Sequence, residues 1–210
     1  MIKLLHLIFG NIVYKIYSIF LKSVLLVKGV KIGTNFYCEG SIKFRNNNIN
    51  SKIVFGKNLK IVGNIEIFLR ENGTIIIKDN SKIDDGVRLL AANNAKIEIG
   101  NYTTIGKGSV LNAGENIKIG DKNLISGYCY IQSSSHSFRK DQNIVDQNHH
   151  AKEIITENDV WLGAHTTILQ GVRLSRGSII GANSLVNKNT DEYGIYAGCP
   201  ATKISERNNN

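Results

Sequence analysis

His6, His136, His149, His150 and His165 are the five histidines of the chain and its obvious proton-transfer groups. A neutral imidazole, with an ordinary pKa near ~6.5, can take a proton from a hydroxyl and return it at neutral pH. His136 ends the phrase IQSSSH, where a six-residue period stops, and the polar run SFRKDQNIVDQNHHAKEIITEND follows it. Long loops thrown out of a rigid scaffold often carry function. A base at the root of such a loop, fixed by the last regular turn, is the leading candidate for chemistry. His149 and His150 lie in the loop, solvated or touching a substrate, while His165 occupies a variable position of a later repeat. Asp141, Asp146 and Glu153 could each orient the His136 imidazole, and the sequence does not choose among them. Cys38, Cys129 and Cys199 are odd in number and lack ligand spacing. Neither a disulfide framework nor a metal site is expected, and a reducing compartment fits.

The element that positions His136 is a repeat, and repeats decide the fold before local propensity does. Leu162, Ile168, Leu174, Ile180 and Val186 fall six apart without a break. Four positions beyond each come Thr166, Val172, Ser178, Ser184 and Thr190, all but one small and hydroxylated. Earlier the template recurs in threes: Ile32, Cys38, Phe44; Phe55, Ile61, Ile67; Ile77, Ile83, Leu89; Ile99, Ile105, Leu111; Ile119, Ile125, Ile131. Such spacing predicts a parallel β-helix whose coils each have three short flat strands. One aliphatic side chain per strand points into the prism and stacks on its equivalents above and below, so the stack is stable only collectively. A helical period of 3.6 cannot give runs of sixes, and a sandwich would show turn signals every 8 to 12 residues.

Composition agrees. The 210 residues include 31 Ile, 25 Asn and 20 Gly but 1 Pro, which suits many short strands joined by left-handed corners and excludes a helical bundle. Lys+Arg outnumber Asp+Glu by 26 − 17 = 9. That excess fits phosphate-bearing ligands or anionic membranes, and equally a soluble protein encoded by AT-rich codons. Nucleic-acid binding is not expected, since no recognised motif or phosphate loop appears.

The first 28 residues differ from the rest. Apolar residues at 4, 5, 8, 9, 12, 13, 16, 19 and 20 recur at helical spacing, with Lys3, Lys15, Lys22 and Lys28 among them. The longest uncharged run, Leu4 to Tyr14, is too short to span a bilayer, and no signal-peptide cleavage site follows it. An amphipathic helix is expected, packed against the protein or a neighbouring subunit as a cap, or lying on a membrane surface. The expected organisation is a helix at 1–28, a β-helix at 29–190 with an extruded loop at 137–158, and a C-terminal tail at 191–210.

The hexapeptide template, the phrase NDVWLGAHTTILQGVRLSRGSIIGANSLVNKNT and the ending YAGCPATKI resemble the hexapeptide-repeat acyltransferase superfamily. Within it, the O-acetyltransferases of polysaccharide biosynthesis clusters are the nearest likeness, over roughly residues 29 to 204. The resemblance implies an all-β fold, a left-handed parallel β-helix solenoid running against the usual right-handed crossover rule. It also implies a homotrimer in the cytoplasm with acetyl-CoA as donor in clefts between subunits, a saccharide acceptor and no metal. Relatives that bind zinc through three histidines space them differently from 136, 149, 150 and 165.

By the same resemblance His136 is the general base that takes the acceptor's hydroxyl proton and returns it to the CoA thiolate. Trp161 borders the thioester end of the donor, and the backbone of Ala164 faces the acetyl group or sulfur. Ala182 meets the pantetheine arm, Asn187 and Lys188 lie near the end of the cofactor, and Lys203 is a second cation for its phosphates. The family often has Lys or Arg where Thr202 and Ser205 stand here, which shifts phosphate binding to Lys203 and Arg207 or weakens it. The leading expectation is O-acetylation of a sugar hydroxyl in a surface polysaccharide or its lipid-linked precursor. An amino sugar, serine or a drug is the alternative acceptor, and a catalytically silent scaffold is the non-enzyme reading. A lipid-linked acceptor would bring the basic N-terminal helix to the inner face of the cytoplasmic membrane.

Overall fold

An aliphatic side chain at every sixth position can be buried only if the backbone returns to one axis every three hexapeptides. A computed structural model, describing residues 6–7, 10–46 and 52–208, has this geometry. Three parallel sheets form the faces of a left-handed prism of about seven coils. On the first face Ile32, Phe55, Ile77, Ile99, Ile119, Thr156 and Leu174 pair in register. Cys38, Ile61, Ile83, Ile105, Ile125, Leu162, Ile180 and Tyr196 do so on the second. The third face stacks Phe44, Ile67, Leu89, Leu111, Ile131, Ile168 and Val186. Nearly all are buried, so the core is a column of mainly aliphatic layers, interrupted on the first face by Thr156.

The corners use the small residues. Ser81, Thr103 and Ser109 are buried there and donate to the carbonyls of Gly100, Gly120 and Ser126 at 2.7, 2.8 and 3.0 Å, so each coil bonds the next through a side chain as well as through backbone. Asn35, Asn58 and Asn80 take left-handed φ at one corner, and their amides form a ladder with bonds of 2.9 and 2.8 Å. Asparagine tolerates that backbone conformation and bonds its own kind along the stack, which accounts for much of its abundance.

Two boundaries differ from the sequence expectation. Ile154–Thr156, placed in the loop, is a first-face strand in register with Ile117–Ile119. A polar Thr156 stands at the inward position, which hid the repeat, and the Asn123 side-chain amide donates to its hydroxyl at 3.2 Å. Residues 191–210 are not a plain tail either. Gly194–Gly198 pairs with the second-face strand Ile179–Ile180, and Ala201–Glu206 folds back on it antiparallel, with Tyr196 covering the end of the core.

At the other end a helix, α1 (Ile12–Val27), covers the first coil. The Ser18 hydroxyl accepts from the Cys38 amide at 2.8 Å and lies 3.2 Å from the Cys38 carbonyl, groups that a preceding coil would otherwise bond. The Lys22 ammonium donates to the Gly33 carbonyl at 2.6 Å. Of the two placements the sequence left open, packing on the first coil is seen over these residues; Lys3 and the start of the expected helix lie outside the described ones. None of the described helices is long and apolar enough to cross a membrane.

Candidate active site

The chain leaves the third face after Gln132 and forms an antiparallel hairpin, Ser134–His136 against His149–Ala151, before re-entering at Ile154. The hairpin root is fixed from three sides. Gln132 donates through its side-chain amide to the Ser134 carbonyl at 2.7 Å, and Gln170 donates to the Ser135 hydroxyl at 2.8 Å. Ser134 packs so closely on Gly114 that a Cβ there would lie 2.8 Å from the Ser134 Cβ. His136 is therefore exposed but held on a rigid strand.

His149 lies directly across the hairpin, its ring centroid 4.0 Å from that of His136 at an interplanar angle of 49°. His150 Nε2 bonds the Ser137 hydroxyl at 2.8 Å. None of the three carboxylates considered from the sequence is hydrogen-bonded to His136: Asp141 faces Arg139 at 3.6 Å, Asp146 accepts from Asn143 at 3.3 Å, and Glu153 lies beyond the hairpin. Beside the hairpin a cavity of about 540 Å³ is lined by Phe138, Arg139, Gln142, Asp146, Gln147 and His150, a mixture of polar and planar groups.

The residues expected at the donor lie at other corners. Trp161 is half exposed on the second face, between Leu124 below and Ile179 above, and its indole N–H donates to the Ser126 hydroxyl at 3.2 Å. Ala164 and Ala182 occupy the corner after that face in successive coils. Asn183 donates its amide to the Ala164 carbonyl at 2.9 Å, but the Ala164 and Ala182 amides have no acceptor among the described residues. His165, at the same corner, stacks on Tyr128 at 5.1 Å. No hydrogen bond or ring contact joins His136 to this group among the described residues.

Asn187, Lys188 and Lys203 do come together. With Tyr196, Pro200 and Thr202 they line a cavity of about 320 Å³ at the C-terminal end of the third face. Lys188 is exposed and carries no ion pair among the described residues. Lys203 is different: its ammonium bonds Asp191 at 3.0 Å and also Glu206, contacts that push its pKa up and hold Asp191 below the usual carboxylate range. Its positive charge is already matched. Arg207 is likewise engaged, with Asp159 at 2.7 Å and the Gly177 carbonyl at 3.1 Å. Lys188 is thus the cation in this cavity without an ion pair among the described residues.

Burial pushes the Cys38 thiol up to about 11 and raises that of Cys129, so both stay protonated and serve packing. Sequence reasoning missed His149 as the neighbour of His136, and Gln170 and Ser126 as supports.

No family model matches the chain. Among curated proteins, it is 39% identical over 57 residues to a chloramphenicol acetyltransferase of Klebsiella aerogenes, covering 27% of each. It is 46% identical over 55 residues to a probable macrolide acetyltransferase of Lysinibacillus sphaericus, covering 26% of this chain and 31% of that one. The chain thus spans about three-tenths of the length of these relatives. Among solved structures, the Bacillus cereus N-acyltransferase AntD, in complex with dTDP and 3-hydroxybutyryl-CoA, is 28% identical with a TM-score of 0.60, over 73% of this chain and 82% of that one. The polySia specific acetyltransferase NeuO is 28% identical with a TM-score of 0.50, over 84% and 85%.

Proposed function

We propose that this hexapeptide-repeat β-helix protein, built like the acyltransferases it resembles, transfers acetyl from acetyl-CoA to a sugar hydroxyl of a surface polysaccharide or its precursor. The observation that carries this reading is the pair of amides without an acceptor among the described residues, Ala164 and Ala182, at the corner that follows Trp161, on a chain that also holds an exposed imidazole, His136, on its extruded hairpin. Free amides at a corner suit a thioester oxygen and the amide-rich arm of CoA. Lys188, at the cavity shared with Asn187, suits a CoA phosphate.

In this reading His136 takes the acceptor's hydroxyl proton as the oxygen bonds to the thioester carbonyl carbon. The Ala164 amide donates to the oxygen that gains charge. When the C–S bond breaks, His136 returns the proton to the departing thiolate, leaving an acetyl ester and free CoA. His136 and the donor corner are separated by the third face within one chain, so the site is completed by a neighbouring copy, in a homotrimer. A peripheral position at the inner face of the cytoplasmic membrane belongs to the same proposal.

The test is a His136→Ala enzyme assayed with acetyl-CoA and candidate saccharides, with mass spectrometry of the product. Turnover should fall by roughly 10²–10⁴ while acetyl-CoA affinity stays near wild type. A variant that keeps most of its kcat removes His136 from the mechanism. Acetylation of an amino sugar's nitrogen in preference to any hydroxyl would replace the O-acetyl reading by the N-acyl chemistry of AntD.

A further inference from the structure

Helix α1 meets the solenoid with one face and leaves a different, more apolar face bare. Tyr14, Ser18 and Leu25 are buried, and Leu21 packs against the core. Ile12, Ile16, Ile19, Phe20, Leu26 and Val27 are 48–89% exposed. At 3.6 residues per turn these six, with Ser23, share an arc of about 120° running the length of the helix. Scattered exposed apolar residues need no explanation, but a continuous stripe marks an interaction surface. The periodic face read from the sequence at 12, 16, 19 and 20 is this bare one, not the docked one.

The segment that carries this stripe has one sign of charge, and the nearby Glu39 is paired with Lys60 at 3.8 Å. Residues 1–38 contain Lys3, Lys15, Lys22, Lys28 and Lys31, and no Asp or Glu precedes Glu39. Lys22 is used on the Gly33 carbonyl, whereas Lys15, Lys28 and Lys31 are exposed without an ion pair among the described residues. A second copy of the helix on the stripe would bring lysines against lysines with no acid to offset them. An anionic lipid surface supplies apolar depth for the stripe and phosphates for its flanks.

We propose that this stripe is a membrane-docking face, lying in the headgroup boundary of an anionic bilayer with Lys15, Lys28 and Lys31 at the phosphates. The solenoid then rests on the membrane by its N-terminal end. The His136 hairpin leaves the fifth coil, four coil steps from the first, and so stands about 19 Å further along the axis. Only the significance of that height rests on the proposed function: it would suit a sugar within a lipid-linked glycan rather than the unit joined to the lipid.

The experiment uses the full-length protein with phosphatidylcholine vesicles, with and without phosphatidylglycerol, in flotation at low and high salt. Phe20→Glu and Ile16→Glu alter exposed positions and should keep the wild-type circular dichroism. The protein should float with the anionic vesicles only, and each substitution should weaken binding roughly tenfold or more. High salt should weaken it too. Failure to float, or anionic binding untouched by both substitutions, overturns the proposal. A substitution that lowers the oligomeric state in sedimentation without lipid shows the stripe to be a subunit contact and also overturns it. Acetyl transfer to a water-soluble acceptor should be equal in all three proteins; its absence from all of them would count against the proposed activity and leave the lipid result standing.

Discussion

Replacing Gly163 by alanine tests whether corner packing and donor binding depend on the same atoms. Gly163 follows Leu162 and enters the corner where Ala164 and Ala182 lie in successive coils. Its amide donates to the Ile180 carbonyl at 2.7 Å, and its carbonyl accepts from the Thr166 hydroxyl at 2.7 Å. A Cβ built on it would lie 2.5 Å from the Ala182 nitrogen and 2.9 Å from both the Ala182 Cα and the Gly181 carbonyl carbon. All three are backbone atoms, so no side chain can swing away. Reaching ordinary contact near 3.4 Å requires the corner of the next coil to move by 3.4 − 2.5, about 0.9 Å. Overpacking of this kind costs about 1–3 kcal/mol, which for a chain of this size lowers Tm by roughly 2–12 °C. The shift also moves the Ala182 amide, and losing one neutral hydrogen bond would raise the KM for acetyl-CoA roughly 2–12-fold. Gly127→Ala, at the same corner one coil earlier, is the control: its Cβ would come no closer than 3.1 Å, to the Lys107 carbonyl oxygen. Thermal unfolding and steady-state kinetics on the two variants separate the outcomes. A wild-type Tm for Gly163→Ala would refute the packing estimate, and a lowered Tm with unchanged KM would refute the role given to Ala182.

Lys188→Ala should weaken CoA binding roughly 10-fold or more by calorimetry, as expected for a charge-assisted phosphate contact, while Lys203→Ala should cost less because Asp191 and Glu206 already balance that ammonium; the reverse order would reassign the phosphate site. Glu98 accepts from Lys78 at 2.7 Å and Lys96 at 2.8 Å, contacts that hold its carboxyl down at about 2. A depressed carboxyl stabilises the fold above its unfolded-state pKa and loses that contribution as pH falls through the folded value. Glu98→Gln should therefore have a lower Tm than wild type at pH 6, with the gap closing from about pH 4.5 downward; equal stability at pH 6 would dismiss the pair as inert. Sedimentation equilibrium should give three times the 23.2 kDa chain mass, and a fully active monomer would contradict the shared cleft.

The fold was legible because the inward position of each hexapeptide accepts little besides an aliphatic side chain. Ile32 to Val186 could be assigned to faces from spacing alone, and the registers follow it residue by residue. Thr156 escaped because the group that satisfies it, the Asn123 amide, lies 33 residues away, and a local reading sees only a polar residue in a polar run. The C-terminal hairpin escaped for a related reason: Tyr196 ends the column rather than continuing it, and an aromatic cap has no period. At the site, the break in the period located His136. Its neighbour His149 could not be found the same way, because the hairpin register passes across the turn at Ile144–Asp146. The loss of Lys203 as a free cation was equally hidden, since its partners are set by how the last two strands fold back.

A solenoid arranges chemistry in vertical rows, and this constrains what one chain can do alone. Residues at one corner recur every coil at about 4.8 Å, so Ala164 and Ala182 are neighbours although eighteen positions apart in sequence. Residues at different corners are held apart by a flat strand that no loop movement shortens. Trp161, Ala164 and Ala182 belong to the corner around the second face, whereas His136 leaves from the far end of the third. The hairpin carries an exposed imidazole outside the three faces, with no contact to the Trp161 corner of the same copy among the described residues. In the proposed assembly that outward reach becomes the means of catalysis, because a base carried on one copy meets the donor corner of the next. Such a contact is head-to-tail, and a head-to-tail contact yields a closed, finite enzyme only when its rotation closes a ring. The proposed homotrimer would meet that condition by a three-fold rotation, with the same corner turned to the axis in each copy. Every cleft of that proposed trimer would hold one base and one donor corner, and the rigidity that separates them within a chain would fix their spacing between chains.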